Sequence, residues 1–228
     1  MSTASRARQR RARSRLTFSS SRIVPYLIIG AGVAALFGLA ILLTRSDGGG
    51  GGDTATIEHR ETAPVSIQGD ALPAFESTEN DAAIGMRMPA ISGQDFSGRN
   101  VKIADDGTPK IVMFLAHWCP HCQAEVPKVQ EWLDGGATHE RLDIISVVTG
   151  TDSTQPNYPP SEWLRREGWT APVLLDDESS SASTAAGVTG YPFFVFVDGD
   201  GTVSARASGE LAIEAIEAAA AELKHEKE

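Results

Sequence analysis

Cys119-Pro120-His121-Cys122 contains both cysteines of this 228-residue chain. Two thiols three residues apart suit thiol–disulfide exchange, in which a thiolate attacks a disulfide and a nearby second thiol resolves the mixed disulfide. On the first turn of a helix, positions i and i+3 share one side, which brings the two sulfurs within reach. The unpaired N–H groups and the dipole of a helix N-terminus favour negative charge on the first sulfur. Cys119 is therefore the expected exposed nucleophile and Cys122 the more buried resolving thiol. Pro120 fits the first helical position, where a missing donor is harmless and its fixed φ is already helical. Such a site works without a bound cofactor, because the redox-active disulfide Cys119–Cys122 carries the electrons. A static bridge is one alternative, but a loop this short constrains little chain. Haem attachment expects histidine directly after the second cysteine, where Gln123 stands. Zinc needs four tetrahedral ligands; His117 and His121 are near, but one helical turn seldom presents four, so no metal is assigned.

The flanking residues predict what holds the motif. Lys110 to Ala116 is an apolar, β-branched run, the pattern of a buried central strand. Cys119 to Leu133 predicts a helix, with Val126, Val129 and Leu133 at three- and four-residue steps. Leu142 to Val148 predicts a second buried strand, followed by a loop rich in Pro, Ser and Asn over 149–160. Short elements follow: a helix from Ser161 to Glu167, a strand from Pro172 to Leu175 and a helix from Ser179 to Gly187. Phe193–Val197 and Thr202–Arg206 flank Asp198-Gly199-Asp200-Gly201, a hairpin signal. Glu210 to Leu223 predicts a helix with Ile213, Ile216, Ala220 and Leu223 on one face. Alternating elements closed by an antiparallel hairpin and a helix predict an α/β layer fold with a mixed sheet.

The N-terminal part is built differently. Arg6, Arg8, Arg10, Arg11, Arg13, Arg15 and Arg22 precede residue 23 with no acid among them, and all 30 acids of the chain come later. Residues 1–22 therefore read as a basic cytoplasmic tail. Ile23 to Leu43 carries no charge, and a helix of about 20 apolar residues crosses a hydrocarbon core of ~30 Å. The positive-inside rule then places the tail in the cytoplasm and the remainder outside, as a single-pass protein of the cell membrane. A cleaved signal peptide is the rival reading, though its apolar region is usually ~7–15 residues. Residues 44–83 read as a tether, with glycines from Gly48 to Gly52, and an extended arm packed at most near Leu72–Phe75. The compact domain is expected over 84–228. Its acidic excess (30 Asp and Glu against 20 Lys and Arg in the whole chain) argues against nucleic acid as a partner.

Phe114-x-Ala116-x-Trp118-Cys119-x-x-Cys122 resembles the active-site pattern of the thioredoxin superfamily. The wider chain is similar to its membrane-anchored TlpA/ResA-like branch of thiol–disulfide oxidoreductases. Gly85 to Ile91 and Asp95 to Val101 resemble that branch's N-terminal β-hairpin, Cys122-Gln-Ala-Glu125-Val-Pro127 its CxxCxxExP segment, and Val188-Thr-Gly-Tyr191-Pro192 its cis-proline loop. The resemblance implies a three-layer thioredoxin-like fold. It also implies that Pro192 is cis and faces the cysteines, leaving the preceding backbone to pair with a substrate strand. Tyr191 stands where threonine is common. Glu125 would exchange a proton with the resolving thiol, unless it is simply an exposed helix glutamate. Pro127 would kink the helix, and Trp118 would pack beside the site and shield it. His117 and the remote His59, His139 and His225 read as solvated. His121 departs from the branch, which more often has proline there; the Pro-His pair is that of the oxidant DsbA. A histidine cation would stabilise the Cys119 thiolate and make the couple more oxidising.

The expected function is that of a membrane-tethered extracytoplasmic thiol–disulfide oxidoreductase. It would act on cysteine-containing exported proteins and be reset by a membrane thiol–disulfide electron partner, with the net direction open. Two alternatives stand beside it. One is a copper(I) metallochaperone using Cys119, Cys122 and a histidine, since soft thiolates suit that ion. The other is a peroxiredoxin-like peroxidase, which expects threonine where Ala116 stands.

Overall fold

The computed structural model describes residues 60–136 and 142–225. In chain order its elements are β1 (Ser66–Gln68), β2 (Ala90–Gln94), β3 (Asn100–Ile103), β4 (Lys110–Leu115), α1 (Pro120–Asp134), β5 (Asp143–Val148), α2 (Pro160–Arg166), β6 (Val173–Leu175), α3 (Ser181–Ala185), β7 (Phe193–Val197), β8 (Val203–Ser208) and α4 (Ile213–Ala221). A five-stranded sheet has the order β6-β5-β4-β7-β8. β5 and β6 run parallel to β4 and its neighbour respectively, while β7 and β8 are antiparallel to theirs. Every residue of β4 and β7 is buried, which explains why both, beyond the ion-paired Lys110 that opens β4, read as unbroken apolar runs rather than alternating ones.

The two faces of β4 feed two apolar clusters. Ile111, Met113 and Leu115 pack with Val126, Val129 and Trp132 of α1 and Ile216 of α4. Val112 and Phe114 pack with Ala182 of α3 and with Ile91 and Ile103 of β2 and β3. The result is the expected thioredoxin-like, three-layer α/β fold with a mixed sheet. β2 and β3 form the expected N-terminal hairpin, and β1 extends it to three antiparallel strands. At its turn, Asp95 accepts the N–H groups of Ser97 and Arg99 at 2.8 and 3.0 Å.

The described part of the arm is packed more extensively than expected. Besides β1, Ala63, Leu72 and Phe75 donate backbone N–H bonds to Asp176, Ala185 and Gly187 at 3.2, 2.9 and 2.9 Å. Glu61 accepts the N–H of Ser161 in the first turn of α2 at 2.9 Å. The boundary expected at Ile84 thus lies inside a continuous packing that includes residues 60–83. These contacts are backbone and side-chain hydrogen bonds between distant segments with sparse apolar anchors, a pattern with no periodic trace in sequence. The expected tail (1–22), membrane helix (23–43) and glycine-rich stretch lie outside the described residues. Among the described residues, no helix is long and apolar enough to cross a membrane.

Candidate active site

β4 ends at Leu115, and four residues later the chain turns into α1 with Cys119 at its N-cap (φ −74°, ψ 120°) and Pro120 at the first helical position. No side chain caps this N-terminus, so its N–H groups and dipole remain available to a thiolate at Cys119. Both cysteines are free thiols. Cys119 is 7% exposed and Cys122 fully buried, so Cys119 is the more accessible sulfur yet itself largely covered. Burial pushes the Cys122 thiol above its usual range, and the neighbouring Cys119 and Glu125 add to the effect.

The opposite wall comes from the segment before β7. The Tyr191–Pro192 bond is cis, as expected, and the Tyr191 carbonyl lies 3.4 Å from Cys119 Sγ. Tyr191 stands edge-on to Trp118, with ring centroids 6.0 Å apart, and its hydroxyl is 3.3 Å from Ser183 Oγ. The Trp118 indole N–H donates to the Gly150 carbonyl at 2.7 Å. Gly150 has φ +59°, and a Cβ there would already touch Trp118 and the Tyr191 hydroxyl at 3.8–3.9 Å. Trp118 therefore forms a half-buried wall linking the cysteine loop, the cis-proline loop and the end of β5.

Glu125 is fully buried, so it is not the exposed helix glutamate of the alternative reading. Its Oε1 accepts the Leu211 N–H at 3.0 Å, and Lys128 Nζ lies 3.4 Å from its Oε2. Burial raises the carboxyl pKa, and the Leu211 N–H and Lys128 pull it only part of the way back. A buried thiol and a buried carboxyl one helical turn apart, both with raised affinity for a proton, can pass one between them. Pro127 lies inside α1.

His121 stands in the first turn of α1. It is 68% exposed, and its Nδ1 pairs with Glu210 Oε1 at 2.9 Å. A carboxylate thus shares whatever charge the imidazole carries.

His117 is a correction. It was expected in solvent but is fully buried. Its Nδ1 donates to the Pro156 carbonyl at 2.7 Å, and its Nε2 accepts the Asp152 N–H at 3.2 Å, which assigns the ring proton to Nδ1. Gln123 also donates to the His117 carbonyl at 3.0 Å. His117 therefore pins the 152–158 loop beside the cysteines. Its place directly after the apolar strand run was the available signal. His225 is exposed, and His59 and His139 lie outside the described residues.

Sequence reading missed Lys128 and Glu210. Lys128 Nζ lies 2.6 Å from Glu210 Oε2, so these two residues join Glu125 and His121 into one chain of charges beside the thiols. The i,i+3 spacing of Glu125 and Lys128 was visible; Glu210, from the segment before α4, was not.

The redoxin family profile matches residues 83–222. The chain is 29% identical over 149 residues to the thiol:disulfide interchange protein DsbE of Pasteurella multocida, covering 64% of this chain and 75% of that protein. It is 28% identical over 93 residues to the sporulation thiol-disulfide oxidoreductase A of Bacillus subtilis, covering 40% and 51%. A Bacteroides thetaiotaomicron protein solved in solution matches with a TM-score of 0.50 at 20% identity, covering 60% of this chain and 85% of that one. This last likeness bears on the fold.

Proposed function

The chain belongs to the redoxin family, and from that premise we propose that it is a membrane-tethered thiol–disulfide oxidoreductase whose catalytic domain faces the outside of the membrane. Its clients are exported proteins with cysteine pairs, and a membrane-borne dithiol or disulfide resets it. One observation carries the reading: Cys119 sits at an uncapped helix N-terminus against the carbonyl before a cis-proline, with Cys122 buried one turn behind it. The tether rests on the arginine-rich tail followed by the uncharged run Ile23 to Leu43.

In the reducing direction, the Cys119 thiolate attacks a client disulfide. One client sulfur leaves and takes a proton, and the Cys119–client mixed disulfide forms. The Cys122 thiol then gives its proton to the Glu125 carboxylate, and its sulfur attacks Cys119 Sγ. The client's second thiolate departs and is protonated, leaving the Cys119–Cys122 disulfide. Two electrons and two protons have passed to the client. Run backwards, the same steps oxidise a client dithiol. The backbone before Pro192 offers an extended client segment a place to pair, with Trp118 and Tyr191 as the aromatic wall and Pro120 flanking the nucleophile.

Trapping in cells tests the assignment. Cys122→Ser accumulates mixed disulfides with clients, because nothing releases them, while Cys119→Ser traps few or none. Equal trapping by both variants, or by neither, overturns the roles given to the two sulfurs.

A further inference from the structure

We infer that Lys128 is a shared counter-ion, resting on Glu210 while Glu125 holds a proton and drawn onto Glu125 when that carboxyl ionises, so that Lys128 and Glu210 are positioning residues of the resolving step. The inference rests on the function proposed above and on the use of Glu125 as the proton acceptor for Cys122.

The geometry shows one cation serving two acids unequally. Lys128 Nζ is 2.6 Å from Glu210 Oε2 but 3.4 Å from Glu125 Oε2. Oε1 of Glu125 already holds the Leu211 N–H, so Oε2 is the oxygen that Lys128 approaches. Lys128 is 46% exposed and Glu210 34%, against 0% for Glu125. A buried carboxylate is costly without a nearby cation. A lysine on a flexible four-carbon stem can supply that charge with a small movement along its half-solvated path. Glu210 is itself steadied by His121 on its other oxygen, which keeps the resting position of Lys128 in place. The ionisable groups that act on Glu125 are Cys122 and Lys128 on its own helix and Glu210 from the segment before α4, with Cys119 coupled to Cys122 and His121 to Glu210. The Tyr191 hydroxyl, on the facing loop, is turned to Ser183 instead.

This arrangement predicts opposite effects from two substitutions of partly exposed side chains. Lys128→Met removes the counter-ion, so Glu125 gives up its proton less readily and accepts one from Cys122 only at higher pH. Glu210→Gln removes the competing acid and frees Lys128 for Glu125, so ionisation occurs at lower pH. The assay follows resolution of a mixed disulfide between Cys119 and a chromogenic aromatic thiol, with the rate measured against pH. The midpoint of the wild-type profile rises in Lys128→Met and falls in Glu210→Gln, each by roughly half a pH unit to one unit, the discounted range for a half-exposed cation. Lys128→Arg, which keeps the charge, retains the wild-type midpoint. In a Glu125→Gln background neither substitution moves the profile. Shifts in the same direction, no shifts, or shifts that persist without Glu125 overturn the inference. If the wild-type adduct is not resolved by Cys122 at all, the function proposed above falls with it; normal resolution with unmoved midpoints removes only the counter-ion role.

Discussion

Arg206 and Asp81 meet with both side chains removed from water, 0% and 1% exposed, whereas Lys128 and Glu125 meet with only the acid buried. The first pair is saturated. Arg206 Nε donates to Asp81 Oδ2 at 2.8 Å, a second nitrogen pairs with Asp81 Oδ1, and Nη1 reaches the carbonyls of Pro73 and Ala186 at 3.0 and 2.9 Å. The guanidinium also lies 5.6 and 5.9 Å from the ring centres of Phe75 and Phe193. Asp81 in turn accepts the Ala83 N–H at 3.0 Å. The Arg206 hydrogen bond outweighs burial and holds the Asp81 carboxyl below its usual range. At Glu125 burial prevails and the shift is upward. A buried charge whose partners are complete stays ionised and ties the 72–83 segment to β8. A buried acid with incomplete partners remains able to gain and lose a proton. The same fold uses one arrangement for architecture and the other beside its thiols.

The largest test breaks the saturated pair. Arg206→Met leaves Asp81 buried without its cation and strips the donor from two carbonyls, so urea unfolding should report a loss of about 3–5 kcal/mol. Disulfide exchange per folded molecule should stay near the wild-type rate. Because the folded pKa of Asp81 lies below its ordinary 3.8, this pair stabilises the wild type above pH 3.8. That contribution is lost as pH falls through the lower folded value. The variant should lack this acid-side loss, and an unchanged acid profile would separate Asp81 from the role assigned to it.

Glu125→Gln should act in the opposite direction and by less. With its folded pKa raised above 4.5, the unfolded chain ionises first as pH rises, so Glu125 destabilises the fold above pH 4.5 and has no such effect well below it. The glutamine variant should therefore be more stable than wild type at pH 7, with the gain gone by pH 3.5, while resolution by Cys122 slows. An equal gain at both pH values would trace the effect to packing rather than charge.

The smallest effect is expected at His121. Exposed and already paired with Glu210, it should influence the thiols only weakly. His121→Ala should make the couple more reducing by less than about 30 mV, a tenfold change in the equilibrium constant, when equilibrated against glutathione. A shift several times larger would restore the imidazole as the main tuner of the couple.

Much of this was legible in the residues. The buried strand of 110–116, the helix after Cys119, the hairpin around 198–201 and the amphipathic last helix all follow local rules, and their observed limits differ by only a few residues. The Cys119–Cys122 spacing pointed to disulfide exchange, because two thiols on one helical turn are within reach of each other and close too short a loop to serve as a staple. Burial was harder to read. His117 reads from sequence as polar and solvated, yet two backbone partners, Pro156 and Asp152, make its burial possible. Glu125 could face either way on a helix whose apolar stripe is narrow, and only the 209–211 segment laid over it decided the matter.

The sequence by itself pointed to thiol–disulfide chemistry at Cys119 and Cys122 and determined the strand–helix unit that presents them, since both depend on neighbours a few residues apart. The tertiary structure decided which charges the site feels. Leu211 and Glu125 are 86 residues apart, Glu210 and Lys128 are 82, and Asp81 and Arg206 are 125. Local periodicity carries no record of such pairings. A side chain's partner, and with it the proton affinity of a buried group, exists only once packing has brought the segments together and removed the water between them.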